Sequence, residues 1–273
     1  MLKQRLITVA VALPLLLALM FFAPNLLWGA ALGIPFGVAA VEWGRLCQLS
    51  RTGLAGFALA VAFSCAALLW LHVFRAKWAE RAEIAHVLYG AALLFWTVVV
   101  PGWLYFGWKV RHKLLLLGAG WLVLVPSWLA VTALQSVPVV LLLTLGVVWI
   151  SDTAAYFIGG RFGRHKLAPQ ISPGKTVEGL LGAYAVVVAY AAAVSFLFEG
   201  EAAAAERVAT MIFALLMTTF SVLGDLFESW IKRMAGAKDS GQLLPGHGGV
   251  LDRIDSITAA MPFAALYLYR IAT

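Results

Sequence analysis

Residues 221–256 read SVLGDLFESWIKRMAGAKDSGQLLPGHGGVLDRIDS, and apolar sequence adjoins them on both sides. Four carboxylates, Asp225, Glu228, Asp252 and Asp255, stand where hydrophobic sequence would otherwise continue. They form two similar sets, Asp225-x-x-Glu228-Ser229 and Asp252-x-x-Asp255-Ser256, joined by a segment rich in Lys, Arg and Gly. Positions i, i+3 and i+4 share one helix face, so each set directs two carboxylates and a hydroxyl the same way. A charged carboxylate near the bilayer centre costs about 2.5–3.5 kcal/mol on insertion scales. Four without compensation would cost roughly 10 kcal/mol, as much as a whole fold's net stability. The stretch predicts two antiparallel apolar helices whose carboxylates meet at similar depth. Two readings of that meeting are open: a divalent cation such as Mg²⁺ or Mn²⁺ held by hard oxygen ligands, or pairing with Lys232, Arg233, Lys238 and Arg253. Two separate carboxylate sets exceed what helix-end ion pairs need.

Outward from this stretch the composition sets the class. Of 273 residues, 63% are hydrophobic and 12% charged, against about 25% charged in a soluble domain, and mean hydropathy is +0.92. The expected fold is an all-α, polytopic integral membrane protein. Its apolar runs suit helices of roughly 20 residues, and they lack the alternation of a β-barrel. Nine spans are expected at 6–22, 25–44, 53–73, 86–106, 114–134, 137–158, 176–198, 207–231 and 249–270. The first resembles a signal peptide without a cleavage site and is read as a retained span. The whole chain reads as one membrane domain: 1–135 as a scaffold facing lipid or a second copy of the chain, 136–273 as the catalytic part. Cys47 and Cys65 form neither a metal spacing nor a disulfide framework.

With the N-terminus in the cytoplasm, fifteen of the 20 Lys and Arg residues fall on the inner side, as the positive-inside rule requires. The formal charge of +7 is therefore topology signalling, not a nucleic-acid footprint. Arg75, Lys77 and Arg81 in the third connection are the misfit. Several of the eleven Trp residues, Trp28, Trp43, Trp108 and Trp230 among them, fall near proposed span ends and read as an interfacial belt.

A second cytoplasmic segment begins at Ser151-Asp152 and reaches Ile171-Ser172-Pro173-Gly174-Lys175-Thr176-Val177-Glu178-Gly179. Gly174-Lys175-Thr176 evokes a Walker A loop, but Pro169 stands where the first Gly is required, and no buried strand precedes it. Ser172-Pro173 before an apolar run suits a helix start, which would put Lys175 at a helix N-terminus facing phosphate. Asp152, inside an apolar span, is a functional candidate; Glu42, near a span end, is read as reaching the interface. Pro245-Gly246-His247-Gly248-Gly249 could bring backbone N–H groups to a phosphate or simply turn the chain.

These residues together resemble the phosphatidate cytidylyltransferase, or CDP-diacylglycerol synthase, family. The resemblance rests on Ser229-x-Ile231-Lys232-Arg233, Lys238-Asp239-x-Gly241 and Leu244-Pro245-x-His247-Gly248-Gly249-Val250-x-Asp252-Arg253-Ile254-Asp255. Ser151-Asp152-x-x-Ala155-Tyr156, Gly163-Arg164-His165-Lys166-Leu167 and Ser172-Pro173-x-Lys175-Thr176-x-Glu178-Gly179 extend it, with Gly174 where many members carry Lys. The match is specific over 150–256; before that only the span pattern is similar.

The resemblance implies transfer of CMP from CTP to phosphatidic acid, releasing pyrophosphate, by a multi-pass protein of a bacterial inner membrane with its site facing the cytoplasm. It implies Mg²⁺, with room for a second cation, held by Asp225 and Asp252 with Glu228 and Asp255 as further ligands or orienters. Lys175, Lys232, Arg233, Lys238 and Arg253 would neutralise phosphates. Asp152, Ser172, Thr176, Ser229, His247, Gly248 and Gly249 would line the substrate site, with Asp225, Asp252, Lys175 and Lys238 closest to the chemistry. No nucleic-acid partner is expected, and a homodimer is compatible. Two other readings remain: a CTP-dependent kinase of a membrane alcohol, against which the complete downstream signature argues, and a cation-coupled transporter, against which the one-sided bunching of the carboxylates argues.

Overall fold

The structure, a computed structural model, describes residues 13–74, 78–198, 204–243 and 248–272. Its helices are α1 (Leu13–Phe22), α2 (Asn25–Leu46), α3 (Arg51–Phe74), α4 (Trp78–Leu94), α5 (Val100–Phe106), α6 (Lys113–Leu134), α7 (Pro138–Phe162), α8 (Val177–Phe198), α9 (Ala204–Met234) and α10 (Leu251–Ala272). A π-helical turn, Phe95–Val99, joins α4 to α5. Seven helical segments are long and apolar enough to cross a membrane, and the protein is an all-α multi-pass membrane protein. In hydrocarbon each backbone N–H and C=O must be satisfied internally, and an apolar run does so by coiling into a helix. The first expected span lies partly outside the described residues and shows as the shorter α1. The last, α10, has 22 residues but carries the polar groups of the 252–258 region.

Helix α9 packs on α10 as expected; α7 also packs on α8, and α8 against α9. Helix α10 is central, touching α9, α6, α4, α7 and α2. Small residues permit this closeness. A Cβ on Gly224 of α9 would collide with the Asp255 carbonyl of α10, and one on Gly120 of α6 would enter the Trp43 indole. Phe227 of α9 sits at the core of an aromatic cluster, with Phe95, Trp96 and Trp103 edge-on at ring-centroid distances of 5.4–5.7 Å. The π-turn delivers two of those rings.

The tryptophan belt needs correction. Trp28 and Trp43 are 1% and 0% exposed and donate their indole N–H groups to the Val131 and Leu116 carbonyls at 3.2 and 2.9 Å. They are core residues, because α2 is packed inside the bundle by α3 and α6. Trp108, 46% exposed, does stand at the surface.

Ser172-Pro173 does not start a helix. Ser172–Thr176 is a strand, β2, paired antiparallel with β1 (Lys166–Ala168). A residue before proline is pushed out of the α region, so Ser172 stays extended. The helix begins at Val177, with Thr176 as its cap: Thr176 Oγ1 accepts from Gly179 N at 3.1 Å. Glu178 then accepts from the N–H groups of Arg164 and His165 at 3.0 and 3.1 Å, with the His165 ring at 2.6 Å. This anchors the hairpin over the ends of α7 and α8.

Candidate active site

Where α7 ends and α8 and α10 begin, a cavity of about 490 Å³ is lined by Asp152, Ser172, Lys175, Thr176, Asp225, Asp252, Arg253, Asp255 and Ser256, among others. Residues from four helices and the hairpin thus converge, although their sequence positions span more than a hundred residues. A second cavity of about 440 Å³ lies at the opposite ends of the same four helices and is mostly apolar, lined by residues such as Val140, Val194, Phe213 and Leu268. The polar chemistry is in the first.

Asp152 accepts a hydrogen bond from Ser221 Oγ at 3.2 Å and also bonds Ser256, so α7 is tied to α9 and α10. Lys175 and Asp225 are its charged neighbours. The Lys175 ammonium, reaching from β2, stands 2.6 Å from Asp225 Oδ2, both side chains being partly exposed to the cavity. Ser229 supports Asp225 from one turn on, donating to Oδ1 at 3.2 Å, so it orients a carboxylate and does not itself line the cavity. Asp255 neighbours Asp225, Asp152 and Glu228.

Behind this wall, Lys232 holds α9 to α10. Its ammonium donates to Glu228 Oε2 at 2.9 Å and Asp252 Oδ1 at 2.6 Å. Asp252 is further engaged by Ser240 N at 3.0 Å and Gly249 N at 2.8 Å. Glu228 is 3% exposed, and its Oε1 has no hydrogen-bond donor among the described residues. Gly248, at φ +82°, takes the left-handed conformation that glycine tolerates best.

Other sequence candidates stand apart. Arg233 turns back, donating to the Ile171 and Ala237 carbonyls at 3.2 Å; it braces the hairpin and caps α9. Lys238 is exposed at the surface. His247 lies outside the described residues.

Glu42 does not reach the interface. It is 2% exposed and accepts from Ser240 Oγ at 2.9 Å, Val250 N at 3.1 Å and Leu251 N at 2.8 Å. Its one sequence signal was a lone carboxylate in an apolar helix, which by default marks function.

Five carboxylates (Asp152, Asp225, Glu228, Asp252, Asp255) therefore share one region with two lysines in direct ion pairs. The carboxylates that line the cavity, Asp152, Asp225, Asp252 and Asp255, offer the hard oxygens that a divalent cation takes. No three Asp, Glu, His or Cys groups among the described residues form a ready-made cage. Mg²⁺ does not need such a cage, since it usually takes one or two carboxylates and completes its shell with water and substrate phosphates.

The chain is similar to known proteins along its whole length. A model described as "Cytidylyltransferase family" matches residues 3–271. A phosphatidate cytidylyltransferase of Pseudomonas aeruginosa is 38% identical over 97% of this chain and 97% of its own length. One of Haemophilus influenzae is 34% identical over 98% and 99%. One of Bacillus subtilis is 44% identical over 43% of this chain and 42% of its own.

Proposed function

The chain belongs to the cytidylyltransferase family, and from that premise we propose that it transfers CMP from CTP to phosphatidic acid, yielding CDP-diacylglycerol and pyrophosphate. The observation that carries this reading is the cavity in which Asp152, Asp225 and Asp255 stand beside Lys175 and Arg253 at the ends of four apolar helices. Such a site takes a phosphorylated lipid headgroup from the membrane and a nucleotide from the water phase.

A phosphate oxygen of the lipid attacks the α-phosphorus of CTP, and the bond from that phosphorus to the oxygen bridging to the β-phosphate breaks. Pyrophosphate leaves with the electron pair. The nucleophile is already anionic, so no side chain has to remove a proton. The difficulty is the meeting of two anions, which positioned positive charge relieves. Lys175 and Arg253 are the side chains placed to meet phosphates, Lys175 by leaving Asp225 for the ligand. Asp225 and Asp255, with Asp152 adjacent, would hold Mg²⁺, which would offset charge on the phosphates and polarise the reacting phosphorus. Asp252 would join them only by giving up part of its hold on Lys232 and on the Ser240 and Gly249 N–H groups. Lys232 keeps Glu228 and Asp252 tolerable in a low-dielectric wall.

The excess of Lys and Arg in the segments on the site's side of the membrane supports a cytoplasmic site, and the bacterial relatives support an inner-membrane location. Purified protein incubated with phosphatidic acid, Mg²⁺ and CTP labelled in the base is expected to form labelled lipid and one pyrophosphate per lipid. Label appearing in lipid only from the γ-phosphate would replace this reading with a kinase, and no lipid product would remove it.

A further inference from the structure

The segment leading into α10 is closed by two carboxylates acting from different sides. Asp252 binds the backbone N–H groups of Ser240 and Gly249. Glu42, from the N-terminal half of the chain, binds the Ser240 hydroxyl and the N–H groups of Val250 and Leu251. Ser240 and residues 249–251 are thereby held together. The first residues of a helix have N–H groups without intrahelical partners; here Glu42 supplies the acceptor for Leu251, the first residue of α10. The fit leaves no slack. A Cβ on Gly241 would collide with Glu42 Oε1, and one on Gly249 would meet Glu42 Oε2 at 2.6 Å as well as the Ser240 hydroxyl.

We propose that Glu42 is a positioning residue for the reaction: it holds Ser240 against residues 249–251 and sets the start of α10, and through these it places Asp252, Arg253 and Asp255 at the cavity. The carboxylate touches no reacting atom. Its oxygens accept from three donors, two of them main-chain N–H groups. The role follows from charge and shape together. A carboxylate offers two acceptors and no donor, whereas an amide in its place would turn an N–H₂ group towards at least one N–H donor. The inference makes α2 part of the site's machinery, and its effect on turnover rests on the cytidylyltransferase reading.

Hydrogen exchange and kinetics on Glu42→Gln in the full-length protein test it. Amides of 248–255 are expected to exchange at least about tenfold faster in the variant, since a lost hydrogen bond to a charged group is worth about that much or more, while amides of α3 and α8 stay unchanged. In the transfer assay, kcat/KM for CTP is expected to fall about tenfold to hundredfold, the worth of one or two charge-assisted hydrogen bonds, at a temperature where the variant remains fully folded. Ser240→Ala, which removes one donor and leaves the other two, should show the same pattern more weakly. In a Glu42→Ala background, which removes the colliding carboxylate, Gly241→Ala should cost less than it does in the wild type. Unchanged exchange at 248–255 with normal kcat/KM would overturn the role, as would faster exchange spread evenly over all helices. A wild-type protein inactive on phosphatidic acid would overturn the reaction instead, and the exchange result would still decide the role of Glu42.

Discussion

Lys175 and Asp225 meet at 2.6 Å across the mouth of the cavity, one carried by a five-residue strand and the other by the longest helix of the fold. Each is the counterion of the other in the absence of substrate, and each is needed by something else during turnover. Both side chains are partly exposed, at 23% and 30%, so the pair borders the cavity rather than the packed core. It therefore serves the site more than the fold.

Asp225→Asn removes the charge and keeps the shape. Pyrophosphate release from CTP and phosphatidic acid is expected to fall by about 10²–10³-fold, the scale at which a key electrostatic contact acts. The unfolding midpoint should stay near wild type, because Ser229 can still donate to the amide oxygen. Near-normal turnover would remove Asp225 from the centre of the site.

Lys175→Met is expected to act differently. It leaves Asp225 in place and removes the ammonium nearest the cavity's carboxylates, so the apparent affinity for Mg²⁺ in the absence of nucleotide should rise while that for CTP falls. Titrating both ligands by their effect on thermal unfolding separates the two. A uniform loss of both affinities would argue that the lysine only holds the hairpin.

Lys232 is the structural counterpart. Its side chain is 11% exposed, and those of Glu228 and Asp252 are 4% and 10% exposed. Breaking a buried ion pair by deleting one partner typically costs about 3–5 kcal/mol, so Lys232→Met should lower the unfolding midpoint markedly. Adding Glu228→Gln, which removes one of the two stranded charges, should recover part of the loss. Equal midpoints for Lys232→Met and wild type would mean that the α9–α10 contact does not depend on this bridge.

The sequence made some of this arrangement legible and hid the rest, for physical reasons. Asp225, Glu228, Asp252 and Asp255 stood out because i, i+3 spacing in an apolar run has one geometric meaning, and the packing of α9 on α10 follows from it. Glu42 was obscured because its partners lie 198 to 209 residues away and two of them are backbone N–H groups with no residue signature. The β1–β2 hairpin was hidden because Ser172-Pro173 before an apolar run imitates a helix start, and only the pairing with Lys166–Ala168 shows where the helix begins. Trp28 and Trp43 fell near span ends in the sequence, but position along a helix does not say whether its neighbours or the lipid surround it.

Membrane orientation can be read by labelling, since the native cysteines should stay silent. Cys47 and Cys65 are 4% and 5% exposed. Burial pushes the Cys47 thiol up to about 12, with Lys113 opposing the shift, so almost no thiolate exists near neutral pH. Reactivity towards maleimides should rise only as the pH climbs towards that value, because the thiolate is the nucleophile. Against this background, Ser136→Cys in the exposed turn between α6 and α7 and Arg111→Cys in the segment before α6 report opposite faces. An impermeant maleimide added to intact cells is expected to label Ser136→Cys and to reach Arg111→Cys only after the membrane is opened. The reverse pattern would turn the protein over and put its cavity on the side away from cytoplasmic CTP.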